Sequence, residues 1–130
     1  MEIEKLKKIL EIVEKKVSMD LEWKGMDPDA FLAFDWLIWE VEEAKIEYTV
    51  KKKVYLEDEL CDIIWSAFRI IEVLDREKSI DKYRIFERVI KKYSERVYWL
   101  DEWKTWHEIK EKQKKELKEE QEKVENILKN

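Results

Sequence analysis

A single glycine and a single proline in 130 residues leave this chain almost nothing with which to make tight turns. Glu, Lys, Leu and Ile are plentiful instead, and all of them sit comfortably in helices, so the chain is expected to be all-α. At this length one domain with a real core is expected. The expected architecture is a bundle of about four to five helices around an antiparallel central pair.

Apolar spacing divides that bundle. Ile3, Leu6, Leu10, Val13 and Val17 keep one seam and predict a first helix from about residue 3 to 17. The stretch 18–28 holds both the glycine and the proline and reads as a loop. Asp27 before Pro28 fits an N-cap and first-turn proline for a second helix, extending to about Tyr48. A connection near 49–53 contains Lys51, Lys52 and Lys53, which read as a solvated charge run. A third helix, about 54–74, is apolar on more than one side, as expected of a helix buried both in a core and against another subunit. Ser79 reads as the cap of a fourth helix. A break near 94–101 precedes a last helix from about Glu102, very polar beyond Ile109. One domain is therefore expected over 1–130: an N-terminal helix and loop (1–22), a helical core (27–101) and a charged C-terminal helix (102–130).

Composition narrows the function. A formal charge of −5 argues against the nucleic-acid backbone as a partner. A single cysteine, Cys61, excludes an internal disulfide and suits a reducing cytoplasm. Residues 1–8 lack the apolar centre of a signal peptide, and no apolar run approaches the ~18 residues of a membrane span. Abundant Glu and Lys also match thermophilic proteins. Seven tryptophans exceed what one small core can pack, so some are expected at an interface between copies, in a dimer or tetramer.

The chemistry-bearing feature is a set of four carboxylates in two matched pairs, Glu40 with Glu43 and Glu59 with Asp62. Each pair has i,i+3 spacing and so shares one helical face. Fifteen residues separate Glu43 from Glu59, which suits adjacent helices joined by a short, reversing connection. Facing pairs would gather four negative charges, costly unless a cation neutralises them. In projection Glu40 falls among Ala33, Trp36, Leu37 and Ala44, and Glu59 beside Leu56, Ile63 and Ile70, where unpaired charge is expensive. Two roles fit, a metal centre or a structural ion-pair network, and the apolar surroundings favour the first. Oxygen-only ligands select Mg²⁺ or Mn²⁺. The lone His107 lies far from both pairs, which disfavours di-iron and zinc chemistry.

The strings around these acids, Leu37-Ile38-Trp39-Glu40-Val41-Glu42-Glu43-Ala44 and Glu57-Asp58-Glu59-Leu60-Cys61-Asp62-Ile63-Ile64, resemble the MazG-type all-α nucleotide pyrophosphohydrolases. The likeness continues in Lys91-Lys92-Tyr93-Ser94-Glu95-Arg96-Val97-Tyr98 and in Trp106-His107-Glu108-Ile109-Lys110-Glu111-Lys112. This resemblance implies that Glu40, Glu43, Glu59 and Asp62 bind Mg²⁺ and form the catalytic centre. It implies hydrolysis of a nucleoside triphosphate to the monophosphate and pyrophosphate. It also implies that Lys92 and Arg96 contact phosphates and that Trp106 stacks on the base. The chain departs from the family pattern at Trp39, Tyr55, Cys61 and the run Glu95–Tyr98. A non-catalytic assembly bundle and a nucleotide-sensing module are the alternatives those departures leave open.

Overall fold

The computed structural model describes residues 2–23, 29–98 and 105–129, and among these it contains five helices and no strand. They are α1 (Glu2–Trp23), α2 (Ala30–Val50), α3 (Lys53–Arg76), α4 (Lys82–Tyr98) and α5 (Trp106–Lys129). The all-α expectation is met. Two compact units divide the chain, Met1–Lys82 and Tyr83–Asn130.

The first unit is organised by the pairing of α2 with α3. Their reversal takes only Lys51 and Lys52, fewer residues than the charge run suggested. Lys51 adopts a left-handed conformation at φ 56° and ψ 40°. Its N–H donates to the Tyr48 carbonyl, and the Lys52 N–H donates to that of Glu47 at 3.4 Å. This pattern closes a helix C-terminus and ordinarily uses glycine at the left-handed position. Lys78, at φ 63°, repeats the device after α3, where the Ser79 N–H reaches the Leu74 carbonyl at 3.0 Å. Ser79 therefore closes α3 rather than capping a fourth helix, and α4 begins at Lys82.

Other boundaries also move. The first helix continues past Val17 to Trp23, which removes the start of the expected loop. Asp27 and Pro28 lie outside the described residues. The cap of α2 is Asp29, whose carboxylate accepts from the Phe31 N–H at 2.9 Å. The expected break from Ser94 is absent up to Tyr98, where α4 ends. The start of α5 is capped by the Thr105 hydroxyl, which accepts from the Glu108 N–H at 3.1 Å.

The core of the first unit is small. Val13, Val17 and Val73 are fully enclosed, with Ile9, Ala30, Trp65 and Phe68 packed against them. On α2 the buried apolar positions are Ala33 and Ala44, side chains short enough to let a neighbouring helix approach closely. Each enclosed valine contributes about 1.5–3 kcal/mol through removal of apolar surface from water.

Polar contacts add to this core. Buried Arg69 on α3 donates to Asp20 of α1 at 3.2 Å and lies over the Trp36 ring of α2, 4.8 Å from its centroid. Burial alone would raise the Asp20 pKa, but Lys16 and Arg69 together hold its carboxyl below the usual range. A second group surrounds Glu72, which accepts from Arg76 Nε at 2.8 Å and Lys82 Nζ at 2.9 Å. Lys82 also reaches Glu14 at 3.0 Å, and Arg76 donates to the Ser18 hydroxyl at 2.9 Å. Two cations thus meet two carboxylates, and the group is electrically balanced. Burial works against the Lys82 charge, yet the bonds to Glu72 and Glu14 raise its pKa.

In the second unit, Glu120 of α5 pairs with Arg88 and, at 3.4 Å, with Arg84 of α4. The hydrogen bonds from Arg88 lower the Glu120 pKa.

Glu72→Ala leaves both cations of the balanced group without their shared buried partner. Urea unfolding should report a loss on the order of 3 kcal/mol. A loss below about 1 kcal/mol would equate the group with an exposed ion pair.

Candidate metal centre

The antiparallel turn at Lys51 and Lys52 brings the acid pairs of α2 and α3 together. Carboxylate oxygens of Glu40, Glu43 and Glu59 lie within 4.8 Å of one another. A second trio of the same tightness comprises Asp58, Glu59 and Asp62. Glu59 belongs to both, so it joins the two halves of the cluster. Asp62 enters through the second trio, with Asp58 in the company of Glu59.

Asp58 was not among the expected site residues. The i,i+3 pattern emphasises Glu59 and Asp62, whereas Asp58 shares a face with Asp62 through i,i+4 spacing. That spacing was the available signal.

The electrostatics are strained in one direction. Glu40 and Glu59 are half-buried while Glu43 is exposed. Burial raises the Glu40 carboxyl above its usual range, and the charges of Asp62 and Glu43 raise it further. Burial and the neighbouring Glu43, Asp62 and Glu40 carboxylates push Glu59 up to about 7. Oε2 of Glu40 and Oε2 of Glu59 are shut off from solvent without a hydrogen-bond partner. Such atoms are expensive in a folded protein. A hard divalent cation is the ligand that would satisfy them, since the donor set is entirely carboxylate oxygen.

The remaining expected residues lie in the second unit. Arg96 places its guanidinium 5.3 Å from the Tyr93 ring centroid and 5.4 Å from that of Trp106. Arg96 Nε donates to Gln113 Oε1 at 2.7 Å. The Gln113 amide in turn donates to the Lys92 carbonyl at 2.9 Å and to Glu95 at 3.0 Å. Lys92 Nζ stands 5.8 Å from the Tyr93 centroid. Arg96 and Trp106 are thus neighbours, with Tyr93 beside both basic residues. Gln113 holds Arg96 and the α4 backbone together, a role its polar surroundings in sequence did not signal.

No curated protein and no solved structure matches the chain. The family model for the MazG nucleotide pyrophosphohydrolase domain matches residues 32–100, more than half of the chain, and this span contains all four of the expected acids with Lys92 and Arg96. Trp106 falls beyond the matched span. With an all-α fold and clustered acids on two paired helices, the chain belongs to the MazG nucleotide pyrophosphohydrolase family.

Proposed function

We propose that the chain is a Mg²⁺-dependent pyrophosphohydrolase that converts an NTP or dNTP to the monophosphate and pyrophosphate. The observation that carries this reading is the clustering of Glu40, Glu43 and Glu59 around two buried carboxylate oxygens that have no hydrogen-bond partner among the described residues. Glu40, Glu43, Glu59 and Asp62 would hold the ion, Mg²⁺ or alternatively Mn²⁺. When bound, it neutralises phosphate oxygens and makes water a better nucleophile. Water adds at the α-phosphorus, and the bond from that phosphorus to the oxygen bridging it to the β-phosphorus breaks.

Lys92 and Arg96 supply positive charge for the phosphates. Arg96 suits this work because its planar guanidinium, fixed by Gln113, presents further N–H donors in a set direction. Trp106 offers an aromatic face for a base. The protein is read as a homo-oligomer, dimer or tetramer, because α2 exposes Phe31, Ile38, Trp39 and Ile46, and as cytoplasmic because its single cysteine suits a reducing compartment. No helix among the described residues is long and apolar enough to cross a membrane.

Pyrophosphate release from a panel of NTPs and dNTPs with Mg²⁺ tests the reaction. Release together with the matching monophosphate is expected, lost on adding EDTA and in Glu59→Gln. Silence across the panel would leave the assembly bundle or the nucleotide sensor as the reading, and binding of a non-hydrolysable triphosphate would identify the sensor.

Arg96→Ala should raise KM roughly tenfold to a hundredfold, the loss expected for one charge-assisted hydrogen bond. An unchanged KM would remove Arg96 from the substrate site.

The raised carboxyls also set a pH dependence. Between about 4.5 and about 7 the folded metal-free protein binds more protons at Glu59 than the unfolded chain does. This contribution to stability therefore falls as pH rises through that window. Binding of the ion requires ionised carboxylates. The Mg²⁺-induced rise in Tm should accordingly be larger at pH 8 than at pH 5.5, and Glu59→Gln should abolish most of it. Equal shifts at the two pH values would contradict ligation by these acids.

A further inference from the structure

Glu47 carries an oxygen in the same condition as the two at the cluster. Its Oε2 is closed off from solvent and has no hydrogen-bond partner, a state shared among the described side chains by Glu40 Oε2 and Glu59 Oε2. Other acids in the first unit are treated differently. Glu72 is enclosed and answered by Arg76 and Lys82, Asp20 by Arg69, and Glu42, on the same helix as Glu47, pairs with Lys45. An unanswered carboxylate oxygen away from water is costly, so its retention calls for a ligand.

Helix pitch says where Glu47 stands. At about 100° per residue it projects roughly 20° from Glu40 and 40° from Glu43, between the two and one turn further along α2. Its oxygens nevertheless belong to neither trio whose atoms lie within 4.8 Å of one another. Glu47 therefore shares the face of Glu40 and Glu43 without joining either trio. Magnesium characteristically keeps several of its waters, and a carboxylate one turn away can accept a hydrogen bond from such a water.

We propose that Glu47 is the outer acid of this metal centre, binding the divalent ion through water and orienting it on the α2 face. The inference rests on the metal reading of the same site. Glu47 is a positioning residue, and the missing partner of its Oε2 is the hydrated ion.

Mn²⁺ titration followed by electron paramagnetic resonance tests this without reference to turnover. Glu47→Gln should weaken Mn²⁺ binding 10- to 100-fold, the usual effect of losing an outer acid. Its helix content by circular dichroism should stay unchanged. Glu47→Ala should show the same loss, and Glu42→Gln, on the solvent-facing side of the helix, should show none. If the wild-type protein binds Mn²⁺ and both Glu47 variants bind it equally well, the inference is overturned while the metal centre stands. If the wild-type protein binds no Mn²⁺, the metal reading and this inference fall together.

Discussion

Negative charge concentrated between two paired helices, its buried oxygens unanswered among the described residues, is the constraint on which the rest of the first unit turns. Glu40 and Glu43 from α2 meet Glu59 from α3, and burial together with the neighbouring carboxylates raises both Glu40 and Glu59. A fold tolerates such a cluster only if the helices are held together by something else. The enclosed valines on α1 and α3, with small Ala33 and Ala44 on α2, supply apolar packing. Arg69 supplies a polar tie, because one side chain reaches Asp20 of α1 and the Trp36 ring of α2 together.

The contrast with Glu72 is instructive. That side chain is more deeply enclosed than Glu40 or Glu59, yet it meets Arg76 and Lys82, and Glu14 completes a neutral quartet. The sequence therefore has lysines and arginines available for buried acids and places them on one side of α3. None among the described residues answers the buried oxygens of Glu40 and Glu59. Among the described side chains, oxygens on Glu40, Glu47 and Glu59 are closed off from solvent and unanswered, which supports the proposed cation site.

How much of this was legible follows from what periodicity can and cannot report. The i,i+3 acids could be assigned to one face each because helical pitch is the same everywhere, and the short separation of Glu43 from Glu59 implied the hairpin. The turns were less visible. Lys51 and Lys78 take left-handed conformations ordinarily left to glycine, so the spacing predicts too wide a connection after α2 and places Ser79 on the wrong helix. Asp29 caps α2 through one side-chain hydrogen bond, which composition does not locate. Asp58 was passed over since its pairing with Asp62 uses the other helical spacing. Gln113 gave no signal at all: its amide acts by joining Arg96 to the α4 backbone across seventeen residues of sequence.

The remaining tension lies on α2. Beside Asp35 and Glu42, the open side of this helix leaves Phe31 80 % and Trp39 68 % exposed, with Ile38 and Ile46 similarly open. Large apolar side chains grouped on one exposed face ordinarily mark a surface that a partner covers. Pairing with α3 covers one side of it, and the acids occupy the same side, so the open side is not needed for the metal centre. A second copy of the chain presents the same apolar surface, and two-fold pairing would cover both at once. Such pairing would also stiffen α2 along its whole length. The carboxylates would then be held at fixed spacing despite their mutual repulsion, which connects the proposed assembly to the proposed chemistry through one helix.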